Sequence, residues 1–336
     1  MGANRRFFTM EKKITPFIFT VDTSLIVAGA TNGSENPLSY ILPILSLTSA
    51  IVRVNDGRAD ISLTSSNLSA NRRLVFASAG VYKITIFQVN MTFHANNSTV
   101  GIDKNKMISI DNWGNNTTYN IQCFRYCYNL EFKATNTLVL PSVISAFFAE
   151  TKGFPSKDIS NLDTSKVTDA VNVFANVPTK FKKLLNPFFL NLTNANGIYS
   201  GLDLSELEKL EIISNTLTTA NDIFSGATRP FYGEIILQTP NLTNITALCY
   251  RFSTPPPALD KCDFRSVNNA LNFLRNPMST TNVDKTLIAW AKLPTMVSGV
   301  TWDWKGSKYS NNSEVITAYN KITNEWGVIF TNLTMA

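Results

Sequence analysis

Val167-Thr168-Asp169-Ala170, leading to Phe174, decides the fold, because its pattern returns at Leu192-Thr193-Asn194-Ala195 to Tyr199, Leu217-Thr218-Thr219-Ala220 to Phe224, and Ile245-Thr246-Ala247-Leu248 to Phe252. Each copy has an apolar residue, small polar residues, an Ala or Leu, and an aromatic seven residues after the first. Weaker copies end at Tyr126, Phe148 and Leu274. A period of about 25 residues fits one strand plus one helical turn, a unit too small to bury its own apolar face. The copies are therefore expected to stack as a leucine-rich-repeat-like solenoid. Tyr126, Phe148, Phe174, Tyr199, Phe224, Phe252 and Leu274 would then form a buried structural ladder rather than a ligand platform.

The pattern of each unit predicts a strand about a dozen residues after the aromatic: Thr137 to Leu140, Lys157 to Ser160, Pro187 to Asn191, Leu210 to Ser214, Glu234 to Gln238 and Lys261 to Arg265. Upstream, the apolar runs Phe17 to Val21, Ile41 to Leu47, Ile51 to Val54, Leu74 to Phe76 and Val81 to Phe87 alternate with turns at Asn32-Gly33, Asp56-Gly57 and Ala79-Gly80. Short strands between such turns predict an antiparallel β-sandwich. Asn55-Asp56-Gly57 reads as a hairpin turn; Asp56 and Asp60 are too few carboxylates to make it a firm calcium loop.

Downstream of Pro277 the period is lost. Val283, Leu287, Ile288 and Ala291 share a helical face behind Asn282 as N-cap, and Val315, Ala318, Tyr319 and Ile322 share another. A last strand is expected at Trp326 to Phe330. Trp290, Trp302, Trp304 and Trp326 would fill the core of a C-terminal α/β cap over the open end of the array. The fold class is thus α+β, with a flexible arm at 1–13, a sandwich at 14–109, repeats at 110–280 and a cap at 281–336.

Composition removes several function classes. Charged residues are 16% of the chain, and the net charge of +6 is split between Arg5, Arg6, Lys12 and Lys13 and a knot at Lys180, Lys182 and Lys183. That is no basic stripe with interleaved aromatics, so nucleic acid is not expected as a partner. Pro43 interrupts the longest apolar run, Tyr40 to Leu47, so membrane insertion is not expected. Glu11, Lys12, Lys13 and Asp22 break the apolar region that a secretory leader would need. The N-x-S/T triplets, such as Asn90-Met91-Thr92 and Asn241-Leu242-Thr243, follow from so Asn- and Thr-rich a chain. Cys123, Cys127, Cys249 and Cys262 are expected as buried thiols, because the single histidine, His94, leaves no familiar zinc spacing.

The repeats resemble those of BspA-like leucine-rich-repeat surface proteins, whose units carry a DTSNVT-N-M-x-x-M-F pattern. Asp163-Thr164-Ser165-Lys166-Val167-Thr168-Asp169-Ala170 through Phe174 carries the resemblance, as does Leu202-Asp203-Leu204-Ser205 beside the family's LDLS strand. Val52 to Gly57 with Ala79-Gly80-Val81-Tyr82-Lys83-Ile84-Thr85-Ile86 looks like the WGDG turn and AGTYTVTI strand of a PKD-like sandwich, and Ile108 to Gly114 like the segment joining it to the repeats. Leu287-Ile288-Ala289-Trp290, Gly306-Ser307-Lys308-Tyr309-Ser310 and Asn324-Glu325-Trp326-Gly327 look like the family's C-terminal cap. Val54 and Asn55 replace the Trp and first Gly of WGDG, and Ala170, Ala195 and Ala220 replace the repeat methionines. The resemblance implies adhesion or attachment, on bacterial surfaces or in phage particles.

No catalytic constellation is expected. His94 has no nucleophile motif near it, Glu206 and Glu208 read as solvated charges, and no Gly-rich phosphate loop occurs. No cofactor or metal is expected. The chain reads as a non-enzymatic bacteriophage virion protein, a fibre, decoration or tail-associated component assembled in the host cytoplasm. Its partners would be other virion proteins or further copies of itself, and a host-surface protein or glycan. The rival reading is a cell-surface or secreted bacterial adhesin.

Overall fold

The computed structural model describes residues 14–26, 36–96, 103–115, 117–156, 159–181, 183–184, 190–224, 231, 233–250, 252 and 255–336, without the side chains of residues 89, 183 and 184. The basic arm at 1–13, the Asn32-Gly33 turn and Lys182 lie outside them. The fold is mixed and strand-rich with few helices.

The N-terminal part contains β1 (Phe17–Asp22), β2 (Ser39–Ile41), β3 (Ile44–Ser46), β4 (Ser49–Val54), β5 (Ile61–Thr64), a single turn α1 (Leu68–Asn71), β6 (Arg73–Val75), β7 (Val81–Val89), β8 (Met91–Phe93), β9 (Met107–Trp113), β10 (Thr117–Tyr119) and β11 (Glu131–Phe132). Six strands form one sheet in the order β11-β9-β1-β7-β4-β5, three form β10-β8-β3, and β2 pairs with β6. Period-two patterning explains the layers: in β1 the side chains of Phe17, Phe19 and Val21 are buried and their neighbours are not. Phe17 and Phe19 meet Phe93 of the smaller sheet at centroid distances of 4.7 and 5.9 Å. The Asn55-Asp56-Gly57 turn joins antiparallel β4 and β5, with Gly57 at φ +81°. A buried ion pair was not legible in the sequence. Lys106 Nζ lies 3.1 Å from Asp103 and donates to the carbonyls of Asn36 and Ser39, while Asp103 accepts from Ile41 N–H, tying the chain before β2 to the start of β9.

In the middle of the chain, β12 (Leu138–Val139) pairs with β13 (Leu162–Asp163), and β14 (Lys183–Leu184), β15 (Lys209–Ile213), β16 (Glu234–Gln238) and β17 (Lys261–Cys262) form a second sheet, all parallel. A separate series of parallel bridges links Val143 to Asp169, Asn194, Thr219, Asn244 and Asn269. Of the strand expected at Lys157 to Ser160, residues 157 and 158 lie outside the described residues; the strand that pairs with β12 is Leu162–Asp163, with Leu162 in register with Leu138. Most of the strand expected at Pro187 to Asn191 lies outside the described residues, which leave out 185–189; the strand that pairs with β15 is Lys183–Leu184. Leu202 and Leu204 are buried but belong to no strand.

The expected helical turns are absent: among the described residues from 121 to 278 there is no helix. Phe148, Phe174 and Tyr199 instead sit in pairs of tight turns containing left-handed residues, at Ala146 and Glu150, Asn172 and Asn176, and Gly197 and Gly201. Such turns cannot satisfy all their own backbone groups, and every second N–H reaches the next copy. Ala170, Asn172, Phe174 and Asn176 donate to the carbonyls of Asn194, Asn196, Ile198 and Ser200, and Ala195, Gly197 and Tyr199 to those of Thr219, Asn221 and Ile223.

At the C-terminus, α2 (Thr280–Trp290) packs on α3 (Ser313–Asn320), which continues as a π-helical turn at Lys321–Glu325; β18 (Thr301–Tyr309) pairs in parallel with β19 (Ile329–Met335). The N-cap of α2 is Ser279 and not Asn282: the Ser279 hydroxyl accepts from Asn282 N–H, while the Asn282 amide reaches the carbonyl of Pro256. The final strand begins at Ile329, past the expected Trp326. The buried apolar residues form one cluster from Phe17 to Leu333, and the boundary expected at residue 109 falls inside β9.

Phe224 is fully buried between stacked rings, so Phe224→Ala is expected to cost about 3–5 kcal/mol in denaturant unfolding; a near-native midpoint would show that the ring contributes little. A chain ending at Pro277 would expose Phe264 and Phe273, which lie 5.6 and 4.9 Å from Trp302. It is expected to aggregate in light scattering, and a folded monomer would refute the capping role.

Candidate functional site

The aromatic ladder is internal. Phe148 and Phe174 stack at 5.6 Å, Phe174 and Tyr199 at 6.2 Å, Tyr199 and Phe224 at 6.5 Å, and Phe224 and Phe252 at 5.6 Å, with interplanar angles between 11° and 15° at the first and last of these contacts. Tyr126 is not a rung: Phe124 stacks on Phe148 at 6.4 Å and 5°, and Phe124 N–H donates to the carbonyl of Phe147. Tyr126 is left-handed at φ +63°, which turns its side chain out of the stack. Phe252 stacks without being the backbone counterpart of Phe224. Asp222 N–H bonds Thr246 and Cys249 N–H bonds Phe273, so Cys249 holds that register between Phe224 and Leu274. In the cap, Trp290, Trp302 and Trp304 are fully buried, whereas Trp326 is half-buried with Lys321 Nζ 5.0 Å from its ring. The stacked rings and the three buried tryptophans offer no surface to a ligand.

The exposed outer face carries two columns of small polar residues. The hydroxyls of Thr193, Thr218 and Thr243 donate to the carbonyls of Thr168, Thr193 and Thr218 at 2.8, 3.1 and 3.0 Å. Beside them, Asn194 Nδ2 reaches Asp169 Oδ2 and Thr219 Oγ1 reaches Asn194 Oδ1. Asn191 and Asn241 send their amides to the carbonyls of Ser165 and Asn215. These side chains tie one copy to the next, which leaves methyls and spare lone pairs facing water.

The turn side differs. Here a groove of about 300 Å³ crosses successive copies. Gln122 and Arg125 line it from the first copy, Ser145, Ala146, Ala149 and Glu150 from the second. Asn172, Ala175 and Asn176 line it from the third, and Ser200 from the fourth. Ala146 and Ala149 are buried, so the groove exists where larger side chains are missing. The Arg125 guanidinium carbon stands 4.4 Å from the Tyr126 ring centroid, and Arg125 Nε is shielded from solvent with no hydrogen-bond partner. Lys104 Nζ approaches the same ring at 5.1 Å and donates to Asn96 Oδ1 at 2.9 Å. Tyr128, its ring 6.1 Å from that of Tyr126, is 54% exposed. No motif in the sequence marks this groove, which is formed by alanines beside an arginine at successive turns.

The other candidates are held in structural contacts. His94 is half-buried, with Nδ1 3.3 Å from Asn120 Nδ2, and desolvation lowers its pKa. Asp56 and Asp60 do not converge on a cation site: Asp56 is bound by Arg58, and Asp60 by Arg53 at 2.8 Å across the hairpin. Those arginines hold both carboxyls below their ordinary range. Lys180 lies 3.8 Å from Asp203 and 4.0 Å from Glu206. Among the described residues no group of three or more His, Cys, Asp or Glu could hold a metal ion, and no helix is long and apolar enough to cross a membrane.

All four cysteines are buried free thiols. Desolvation pushes Cys127 up to about 12, partly offset by Lys104, and raises the other three. Native protein at pH 8 should therefore leave Ellman's reagent unreacted until denaturant is added. The same shifts set a sign for stability. Below pH about 9 the thiols are neutral in both states and the contribution is intact; it is lost as pH rises toward 12, because only the unfolded chain ionises freely. Rapid labelling at pH 8 without denaturant would contradict this burial.

Comparison with protein-family models, curated proteins and solved structures gives no match, so the chemistry of the site is read from its own residues.

Proposed function

We propose that the chain is a non-enzymatic attachment protein of a bacteriophage virion, with an N-terminal PKD-like β-sandwich, a BspA-like leucine-rich-repeat solenoid and a C-terminal cap. The observation that carries this reading is the uninterrupted series of parallel bridges from Val143 to Asn269, with nearly parallel rings inside it. Copies bonded at a constant spacing make a stiff, elongated scaffold whose surface residues can change without disturbing the interior. An Asn- and Thr-rich exterior suits protein or glycan partners, since amides and hydroxyls bond in both directions at small desolvation cost. In this reading residues 1–13 and the sandwich join the particle, and the array faces the host. A bacterial surface adhesin uses the same architecture and is the competing assignment.

Mass spectrometry of purified virions should find the chain. Deleting residues 1–13 should abolish incorporation, while Ala175→Tyr on the turn side of the array should leave incorporation intact and reduce adsorption to host cells. Normal incorporation of the arm-less protein, with loss only in array variants, would reverse the assigned polarity. Detection on bacterial envelopes and never in particles would favour the adhesin.

A further inference from the structure

We propose that the turn-side groove binds an acidic saccharide, with the Arg125 guanidinium receiving the sugar carboxylate; this rests on the attachment reading and names its ligand class. The first argument is the arginine. Among the described residues Arg125 has no ion pair, its Nε is out of contact with water, and no acceptor meets it. An atom closed to water is closed to a ligand as well, so a carboxylate in the groove would bond the terminal guanidinium nitrogens, where it meets a charge that no described carboxylate neutralises. Stacking on Tyr126 holds the guanidinium plane in place, so little side-chain freedom is lost on binding.

Local conformation supplies the second argument. Seven turns along the array hold a left-handed residue at the equivalent place, and Asn, Asp or Gly, which tolerate it best, fill four of them: Asn172, Gly197, Asp222 and Asn272. Around the groove the chain holds Gln122, Tyr126, Ala146 and Glu150 left-handed, beside the better suited Asn172 and Asn176; farther along the array, among the described residues, Ala247 alone departs in the same way. Residues poorly suited to their backbone collect where the groove is, which points to selection on their side chains.

The walls distinguish a sugar from a peptide. Peptide side chains anchor in deep apolar pockets, whereas the apolar lining here is Val171 and the methyls of Ala146, Ala149 and Ala175, a shallow strip suited to the C–H face of a pyranose. Gln122, Asn172, Asn176 and Ser145 offer donors and acceptors to ring hydroxyls. Gly197 and Gly201 keep the site open, because a Cβ at either would lie 2.1 Å from Asn172 Oδ1 or Asn176 Oδ1. Glu150 is the opposing charge in the groove, and its removal should favour an anion.

The test is titration calorimetry of the full chain with trigalacturonate and 3′-sialyllactose, beside maltotriose, lactose and hexaglutamate. At least one acidic sugar should bind, and the neutral sugars should bind at least about tenfold more weakly. Arg125→Gln should weaken binding about tenfold or more, Ala175→Tyr should abolish it by filling the groove, and Glu150→Gln should strengthen it. The opposite sign expected for Glu150→Gln cannot come from general destabilisation, and unchanged melting temperatures complete the control. Failure of both acidic sugars to bind, equal binding of neutral sugars, an unaffected Arg125→Gln, or hexaglutamate binding as tightly would each overturn the proposal. Virions that contain the chain while both acidic sugars fail would sink this inference alone. Acidic-sugar binding by a chain absent from virions would sink the virion reading alone.

Discussion

The structure depends on one constraint: the backbone of each tight turn cannot satisfy itself and must bond to the turn one copy further on. A left-handed residue costs a non-glycine side chain of the order of 1–2 kcal/mol, and the array places one or two in each turn. What offsets that cost is the regular donation from one turn to the next, as from Asn172 to Asn196 and from Gly197 to Asn221. The spacing is thereby locked. A copy that slipped by one residue would lose these bonds and also turn its ring out of the stack.

The same constraint governs the ends, where a copy has no neighbour on one side. At the N-terminal end, β11 of the first copy extends the six-stranded sheet by pairing in parallel with β9, through Glu131 to Ser109 and Phe132 to Ile110. The Trp113 ring lies 5.7 Å from Phe132 and 6.0 Å from Phe124, so the aromatic core crosses the junction without interruption. At the other end, Phe264 and Phe273 meet Trp290 and Trp302, and Trp290 Nε1 donates to the carbonyl of Leu259. Both ends therefore bury apolar surface that a free terminal copy would expose to water.

What was legible in the sequence was the period, because an aromatic between small residues survives drift in copy length. Phe174, Tyr199 and Phe224 were readable for that reason. Tyr126 was misread because two aromatics, at 124 and 126, lie within one turn, and only backbone register tells which points inward. Phe252 hid the role of Cys249 in the same way. The turns themselves were illegible as left-handed: Ala146, Glu150 and Ala247 are ordinary helix formers, and local preference alone favoured a helical turn there. In the cap, hydrophobic spacing identified the faces of both helices but not the Ser279 cap, since Asn282 is as good a capping residue. The groove was invisible because a cavity is made by what is missing, and alanines carry no chemical motif.

The two surfaces of the array therefore stand in different relation to function. On the outer face the Thr168, Thr193 and Thr218 carbonyls, the threonine hydroxyls and the Asn191 and Asn241 amides are already committed to joining copies. Changing one of these residues removes an internal tie as well as a surface group, so this face varies at a cost in stability. The turn side is joined mainly through backbone atoms, with the side chains of Asn196 and Asn221 accepting from Asn221 N–H and Thr246 N–H as the exceptions farther along the array. There the sequence can place Arg125, Glu150, Asn172 or Ala175 without altering how copies bond, provided the left-handed positions are tolerated. Variation is least constrained at the groove positions that carry no side-chain tie between copies, and Arg125 lies among them.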